Sequence, residues 1–365
     1  MAKQKLHIAD GSQVLSQRQR DILRLIIQQY VLTANPVGSR YISRISAMGL
    51  SDATLRNVMS DLEYLGYIDH PHTSAGRMPT DKGYRMYVDT LMNSQVLSEA
   101  ERKAVEKTLG VALTPEDILR ESTGILATLS KQLSLLVLPA LDEGILERVE
   151  IVQLSSSRIL VVLAVSGGRV RTLTLETDSG IARTRLDELC SILNQRLAGR
   201  SLREVRAIFR DSVQDLKEED KAILRMFINS PERLFEDPGS ERVKLSGAGN
   251  IFSQPEFQKK GSYADEEFQS IIELIENEEV VIHVLERSGM MYDATDLGTD
   301  SVKIRIGSEL DDERMLNYSV ISTKYQIGEQ KGTIAVIGPK RMDYARIAPL
   351  VDYVARSMSQ PTFTK

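Results

Sequence analysis

Apolar residues recur at helical spacing through the first ninety positions, and the recurrence breaks into separate elements. Ile22, Leu23, Ile26, Ile27 and Tyr30 make one apolar face, which predicts a helix. Ser16 opens it with a capping box, because Gln19 stands three residues on and can return a bond to the Ser16 amide. Asn35-Pro36 ends the element in a turn. Ser39 is placed as the cap of a short second helix with Ile42 and Ile45 inward and Gly49 as its stop. Ser51 caps a third helix, in which Leu55, Val58, Met59, Leu62 and Leu65 follow the i, i+3, i+4, i+7 rule and face the core. At 100° per residue the opposite face presents Ala53, Arg56, Asn57, Ser60 and Tyr64.

That outward face is short, polar and able to hydrogen-bond, unlike the Glu/Lys mixture of a merely solvated helix. Arginine pairs with guanine through two bonds and asparagine does the same with adenine. After Gly66, Tyr67-Ile68-Asp69 predicts a short strand. His70 to Arg77 is a polar loop ending in a cation, and Met78-Pro79 leads out of it. Thr80 caps a fourth helix carrying Tyr84, Tyr87, Val88 and Leu91. Three helices, a hairpin loop and a further helix describe a winged helix-turn-helix, with the third helix in the major groove and the loop over backbone or minor groove. The same pattern also suits a small helical domain that binds protein.

Further along, residues 93–98 read as a linker, Glu99 to Leu109 as a charged helix, and Thr114-Pro115-Glu116 as the start of another. A short apolar strand follows at Leu135 to Leu138, closed by Pro139. Val149 to Leu154, Ile159 to Val165 and Val170 to Leu175 read as strands, the last two joined by a Gly167-Gly168 hairpin. Helical patterns then dominate at Leu186 to Leu197, Leu202 to Phe209 and Lys221 to Ile228, before a Pro/Gly-rich section around Pro238, Gly239, Gly247 and Gly249. Strands return at Val302 to Ile306, Tyr318 to Ser322 and Thr333 to Ile337, and a helix with Tyr344, Ile347, Val351, Val354 and Met358 closes the chain. The order suggests one α/β domain interrupted by an insert, with a second domain simply following the first as the alternative.

Composition changes the picture in two places. The chain of 365 residues has a net charge of −5, but residues 1–95 carry +3 and the remainder −8. A mildly basic head on an acidic body fits one end meeting phosphate. The longest apolar run, Ile159 to Val165, is too short to cross a bilayer. The polar start from Met1 to Gly11 lacks the apolar core of a signal peptide, and with one cysteine no internal disulfide forms. No membrane association and a cytoplasmic location are therefore expected.

No catalytic constellation emerges, so no enzyme activity and no cofactor are expected. The histidines His7, His70, His72 and His283 form no H-E-x-x-H pattern, and Gly332 to Lys340 fails the P-loop spacing. The His70-x-His72 pair lacks a third ligand nearby, so no metal site is expected. Asp311-Asp312-Glu313 reads as a solvated turn, and Cys190 as a buried small hydrophobe.

The runs Ser51 to Ile68 (SDATLRNVMSDLEYLGYI), His72 to Arg77 (HTSAGR), Pro79 to Arg85 (PTDKGYR) and Gly338 to Tyr344 (GPKRMDY) resemble HrcA, the heat-inducible transcription repressor family. The resemblance covers nearly the whole chain and is least distinct from 180 to 290. It implies an α+β multidomain protein: a winged helix-turn-helix over 1–95, a GAF-like α/β domain over 96–180 and 291–365, and an inserted dimerising domain over 181–290. It also implies a homodimer on an inverted-repeat operator in double-stranded DNA (the CIRCE element) upstream of chaperone operons, with activity supported by the chaperonin GroEL and lost on heat stress. Arg56, Asn57 and Ser60 are the candidates for base edges. Ser39, Arg40, Thr54, His72, Thr73, Ser74 and Arg77 are the candidates for backbone and wing contacts. Gly338-Pro339 is expected to end a strand and Asp343 to cap the final helix, while Arg341 and Met342 are assigned to packing in preference to an interdomain contact. A regulator whose GAF-like domain senses a small ligand is the alternative.

Overall fold

The structure, a computed structural model, describes residues 15–46, 48–71, 76–138, 143–166, 169–176, 182–213, 242–258, 262–291, 302–327 and 330–359. The first body is a winged helix. α1 (Gln17–Thr33) starts at the Ser16–Gln19 capping box and buries Ile22, Leu23, Ile26 and Ile27. It ends where Ala34 turns left-handed and its amide returns to the Tyr30 carbonyl. α2 (Ser39–Ile45) differs from its expected form. Gly38 is its cap, without a side-chain bond, and Ser39 is its first helical residue. Ile42 is buried as expected, whereas Ile45 is exposed, and the helix stops at Ser46, before Gly49 is reached. In α3 (Asp52–Tyr64) the Ser51 hydroxyl accepts from the Thr54 amide, and Leu55, Val58, Met59 and Leu62 go inward.

β1 (Ile68–Asp69) and β2 (Met78–Pro79) pair antiparallel as the stem of the wing. A further bridge joins Val37 to Arg77. There Gly76 is required, because a Cβ at that position would lie 2.7 Å from the Pro36 and Val37 backbone. α4 (Asp81–Met86), capped by Thr80, runs on into one π-helical turn, Tyr87–Leu91.

The larger body is a five-stranded antiparallel sheet in the order β7-β3-β10-β9-β8: Val243–Ser246, Leu133–Val137, Gln330–Pro339, Tyr318–Ile327 and Lys303–Ile306. Its central strands are buried on both faces. Ile334 and Val336 of β10 point to α5 (Glu99–Leu109), α6 (Pro115–Ser130) and α13 (Tyr344–Met358), whereas Ala335 and Ile337 point to α11 (Ser262–Glu276) and α12 (Glu278–Arg287). Alternation puts every second residue on the opposite side, and both sides are apolar. Asp343 caps α13, as expected. Pro349 lies inside α13 and has no amide to give, and the Ala345 carbonyl one turn earlier instead accepts the Gln95 amide at 2.9 Å. The linker is thereby strapped to the closing helix.

The three strands β4 (Leu146–Ser155), β5 (Arg158–Val165) and β6 (Arg169–Glu176) are correctly placed in sequence but do not join that sheet. They form their own antiparallel sheet, and α7 (Arg183–Leu197) and α8 (Leu202–Ser212) cover one face of it with Leu186, Leu189, Leu193 and Phe209. Asn194 pairs with both the amide and the carbonyl of Val149 at 2.8 Å, and Cys190 Sγ accepts the Ile151 amide, so α7 side chains satisfy part of the β4 edge. Shared apolar faces therefore join 143–176 with 182–213. Residues 243–287, with α9 (Ala248–Phe252) and α10 (Pro255–Gln258), pack instead on the five-stranded sheet. Boundaries at 180 and 290 cut across both cores. The Gly167-Gly168 hairpin, Pro139, Pro238, Gly239 and the run Lys221 to Ile228 lie outside the described residues.

Candidate nucleic-acid interface

α3 turns one face to solvent, as its periodicity requires. Arg56, Asn57 and Ser60 are exposed along it, and Tyr64 stands 91% exposed at its far end. Thr54 is half-buried, and its hydroxyl lies 3.0 Å from the Ser51 hydroxyl, which ties it to the helix cap.

Between the start of α2, the outer face of α3 and the base of the wing lies a cavity of about 410 Å³. It is lined by Ser39, Arg40, Arg56, Ser60, Gly76 and Arg77, and no carboxylate is among its lining residues. Five of the ten candidate residues thus meet in one place. Arg56 Nε points to Ser39 Oγ at 3.4 Å, a long contact that links the first turn of α2 to α3. On the α2 and wing side of the hollow, the guanidinium groups of Arg40 and Arg77 and the Ser39 hydroxyl suit phosphate oxygens, since charge-assisted bonds from arginine to phosphate are short and strong, while Arg56 and Ser60 line it from the outer face of α3. Asn57 and Thr54 stand outside this cavity. His72, Thr73 and Ser74 lie outside the described residues.

Two residues that periodicity did not single out complete the site. Glu63, on the last turn of α3, bonds through Oε2 to Arg77 Nε at 2.8 Å and through Oε1 to His70 Nδ1. The sequence signal for Glu63 is only an acid three residues after Ser60, too ordinary to stand out. Glu63, Asp69 and His70 also bring one possible metal-ligand atom each within 4.8 Å of one another. Both Glu63 oxygens already have partners there, Oε1 the His70 ring nitrogen and Oε2 the Arg77 guanidinium. The geometry is that of a hydrogen-bonded clamp.

The winged helix is docked on the larger body, and their apolar residues form one continuous core from Ile22 and Leu62 to Tyr344 and Val351. Charge borders the contact. Asp81 accepts from Lys340 Nζ at 2.7 Å, from the Ser308 amide at 3.0 Å and from its hydroxyl at 3.1 Å. Burial pulls the Asp81 carboxyl up, but these bonds outweigh it and hold the group below the ordinary aspartate range. Arg85 bonds Glu309 at 2.8 Å and the Ile304 carbonyl at 2.8 Å, and the Glu309 bond raises its already high pKa further. Arg341, 12% exposed, reaches Glu256, Gln254 at 2.9 Å and the Val31 carbonyl at 3.4 Å. The expectation of packing therefore holds for Met342, which is buried, while Arg341 makes an ionic contact to α10 and a bond to α1 across the joint. Tyr84 and Tyr344 lie 6.0 Å apart in the same seam, and burial raises both phenols. A second cavity, of about 660 Å³, opens where Arg85, Val88 and Met92 meet Ile304, Pro349 and Asp352.

Comparison with known proteins follows this division of the chain. The family described as "Winged helix-turn-helix transcription repressor, HrcA DNA-binding" matches residues 14–92, and "HrcA protein C terminal domain" matches residues 116–348. The chain is 41% identical over 350 residues to the heat-inducible transcription repressor HrcA of Chlorobium phaeobacteroides (strain BS1), covering 94% of this chain and 97% of that relative. It is 39% identical over 355 residues to the repressor of the same name from Chlorobium phaeovibrioides, covering 96% and 98%. A solved structure titled only as a hypothetical protein is similar in fold, with a TM-score of 0.59, 26% identity and coverage of 95% of this chain and 98% of that one.

Proposed function

The chain belongs to the HrcA family of heat-inducible transcription repressors, and we propose that it silences chaperone operons by binding an inverted-repeat, CIRCE-type operator as a homodimer. It is a transcription repressor with a winged-helix DNA-binding domain, not an enzyme. Among the described residues no helix is long and apolar enough to cross a membrane.

The observation that carries the proposal is the outer face of α3 beside a cavity ringed by arginine. In this reading Arg56, Asn57 and Ser60 meet base edges in the major groove, as arginine and asparagine are suited to do. Ser39, Arg40, Thr54 and Arg77, with His72, Thr73 and Ser74 of the wing, hold the backbone and so fix register. An inverted repeat is matched by a two-fold dimer, one recognition helix to each half-site. The inserted dimerising domain was expected at 181–290; in this proposal the body of residues 143–213 takes that role instead. Its support is the outer sheet surface, where Val152, Leu154 and Val170 are exposed on an otherwise well-packed unit. The five-stranded antiparallel sheet with helices on both faces supports a GAF-like assignment for the larger body. Chaperonin GroEL sustains the DNA-binding form in the cytoplasm, and its loss to heat-unfolded clients releases repression. A second reading, control by a small ligand, is favoured by the cavity of about 660 Å³ at the joint.

The test is a titration of purified protein against an inverted-repeat duplex, with and without chaperonin. Binding is expected to be salt-dependent, stronger with chaperonin, and at least about tenfold tighter than to scrambled DNA. Arg56→Ala removes most of that discrimination, at about 1–3 kcal/mol per half-site. Equal affinity for operator and scrambled DNA in the native protein refutes the proposal. Ligand-shifted affinity without chaperonin favours the second reading.

A further inference from the structure

We propose that Glu63 is a positioning residue for DNA recognition, whose single carboxylate fixes the wing against the recognition helix by holding both of its roots. The inference rests on the reading of α3 and the wing as the DNA-binding surface.

The chain leaves the stem of the wing at His70 and returns at Arg77, and one side chain from α3 meets both. Oε1 takes the His70 ring nitrogen, and Oε2 takes Arg77 Nε at 2.8 Å. The carboxylate and the guanidinium are 22% and 24% exposed, so this contact is partly shielded from water. The backbone at the same point is already fixed, since Arg77 and Val37 exchange two bonds of 2.8 and 2.9 Å. What the carboxylate adds is the direction of the side chains. It orients the Arg77 guanidinium on the rim of the cavity that also holds Arg40 and Arg56. It also ties His70 and Arg77, one at each end of the stem, to the helix proposed to read bases. A two-oxygen acceptor is suited to this, whereas a neutral amide offers one acceptor and cannot serve two donors equally.

Charge and geometry predict opposite effects here, which makes the inference testable. A carboxylate close to the phosphate backbone repels it, so on charge alone removing Glu63 tightens binding and steepens the salt dependence. If Glu63 acts by positioning, its removal weakens specific binding. Glu63→Gln is expected to bind the operator about 5- to 20-fold more weakly and to lower the salt slope by about one unit as the Arg77 contact is lost. Hydroxyl-radical protection on the wing flanks disappears, while guanine protection in the major groove under α3 remains. In an Arg77→Ala background the same substitution changes affinity less than about twofold, because a residue acting through another is not additive with it.

Affinity equal to or tighter than native with intact flank protection overturns the inference, as does an undiminished penalty in the Arg77→Ala background. Should Glu63→Gln fail to fold by circular dichroism, His70→Ala replaces it. That variant frees one root, and unchanged flank protection in it is equally fatal. Arg56→Ala, run in parallel, tells the two levels apart: retained operator discrimination there sinks the DNA-binding assignment itself, whereas its loss alongside a silent Glu63→Gln sinks only the positioning role.

Discussion

Replacing Asp81 by asparagine tests the joint between the winged helix and the larger body. The carboxylate receives three bonds from across the joint, one of them from the Lys340 ammonium at 2.7 Å. A hydrogen bond to a charged group contributes about 1.5–3 kcal/mol. Asparagine keeps one acceptor oxygen for Ser308 but loses the charge that Lys340 faces. The two side chains are 26% and 28% exposed, so solvent screens part of the interaction. The expected cost is about 2 kcal/mol at neutral pH, a fall in Tm of about 4–8 °C if the docked bodies melt as a unit of about 200 residues.

Acid should change that figure in one direction. In the folded protein Asp81 is held below the ordinary aspartate range, whereas in the unfolded chain it titrates at about 3.9. Its ionised form therefore stabilises fully above about pH 4, and the contribution is lost as pH falls through the folded value. Urea titrations of native protein and Asp81→Asn from pH 8 downward are expected to show a flat gap to about pH 5, narrowing only below about pH 4. Equal stability at pH 7 refutes the argument, and so does a gap that widens in acid.

Other positions give sharper structural checks. A Cβ on Gly83 would lie 2.1 Å from the Tyr67 carbonyl oxygen, so Gly83→Ala has to displace α4 and is expected to cost about 1–3 kcal/mol in urea unfolding. Gly124→Ala, in open space on α6, serves as its control and is expected to stabilise by about 0.5–1 kcal/mol. Burial raises the Cys190 thiol, with the Ile151 amide opposing more weakly. Its reaction with a disulfide reagent at pH 7.5 is thus expected to be at least about tenfold slower than that of the urea-unfolded chain. Equal rates count against the packing of α7 on β4.

Local elements were legible in the sequence because their causes are local. Ser16, Ser51, Thr80 and Thr114 each cap the helix that follows, and the buried side of α3 follows its period. Ser39 was misplaced by one residue because serine is a better cap than glycine in general, yet here Gly38 has the extended backbone that precedes the helix. Strand partners were not legible. The apolar pattern marks Val149 to Leu154 as a strand, but nothing local separates a place in the large sheet from one in the small sheet. The meaning of Lys340 and Arg341 was hidden for the same reason, since Asp81 and Val31 stand 259 and 310 positions away in the chain. The cavity at α3 is half legible: the chemistry of each residue marks it singly, and only folding brings Arg40, Arg56 and Arg77 around one hollow.

The strap from Gln95 to Ala345 has a consequence for how such a reader measures distance along DNA. A head on a loose tether tolerates many spacings between two binding sequences, because the tether absorbs the difference. Here the tether is pinned at its midpoint to a helix whose proline leaves a carbonyl free. In the proposed two-fold assembly the gap between the two reading helices then follows from how the bodies meet. Lengthening the spacer of the operator by half a helical turn puts one half-site on the wrong side of the duplex, and no slack in the chain makes up for it.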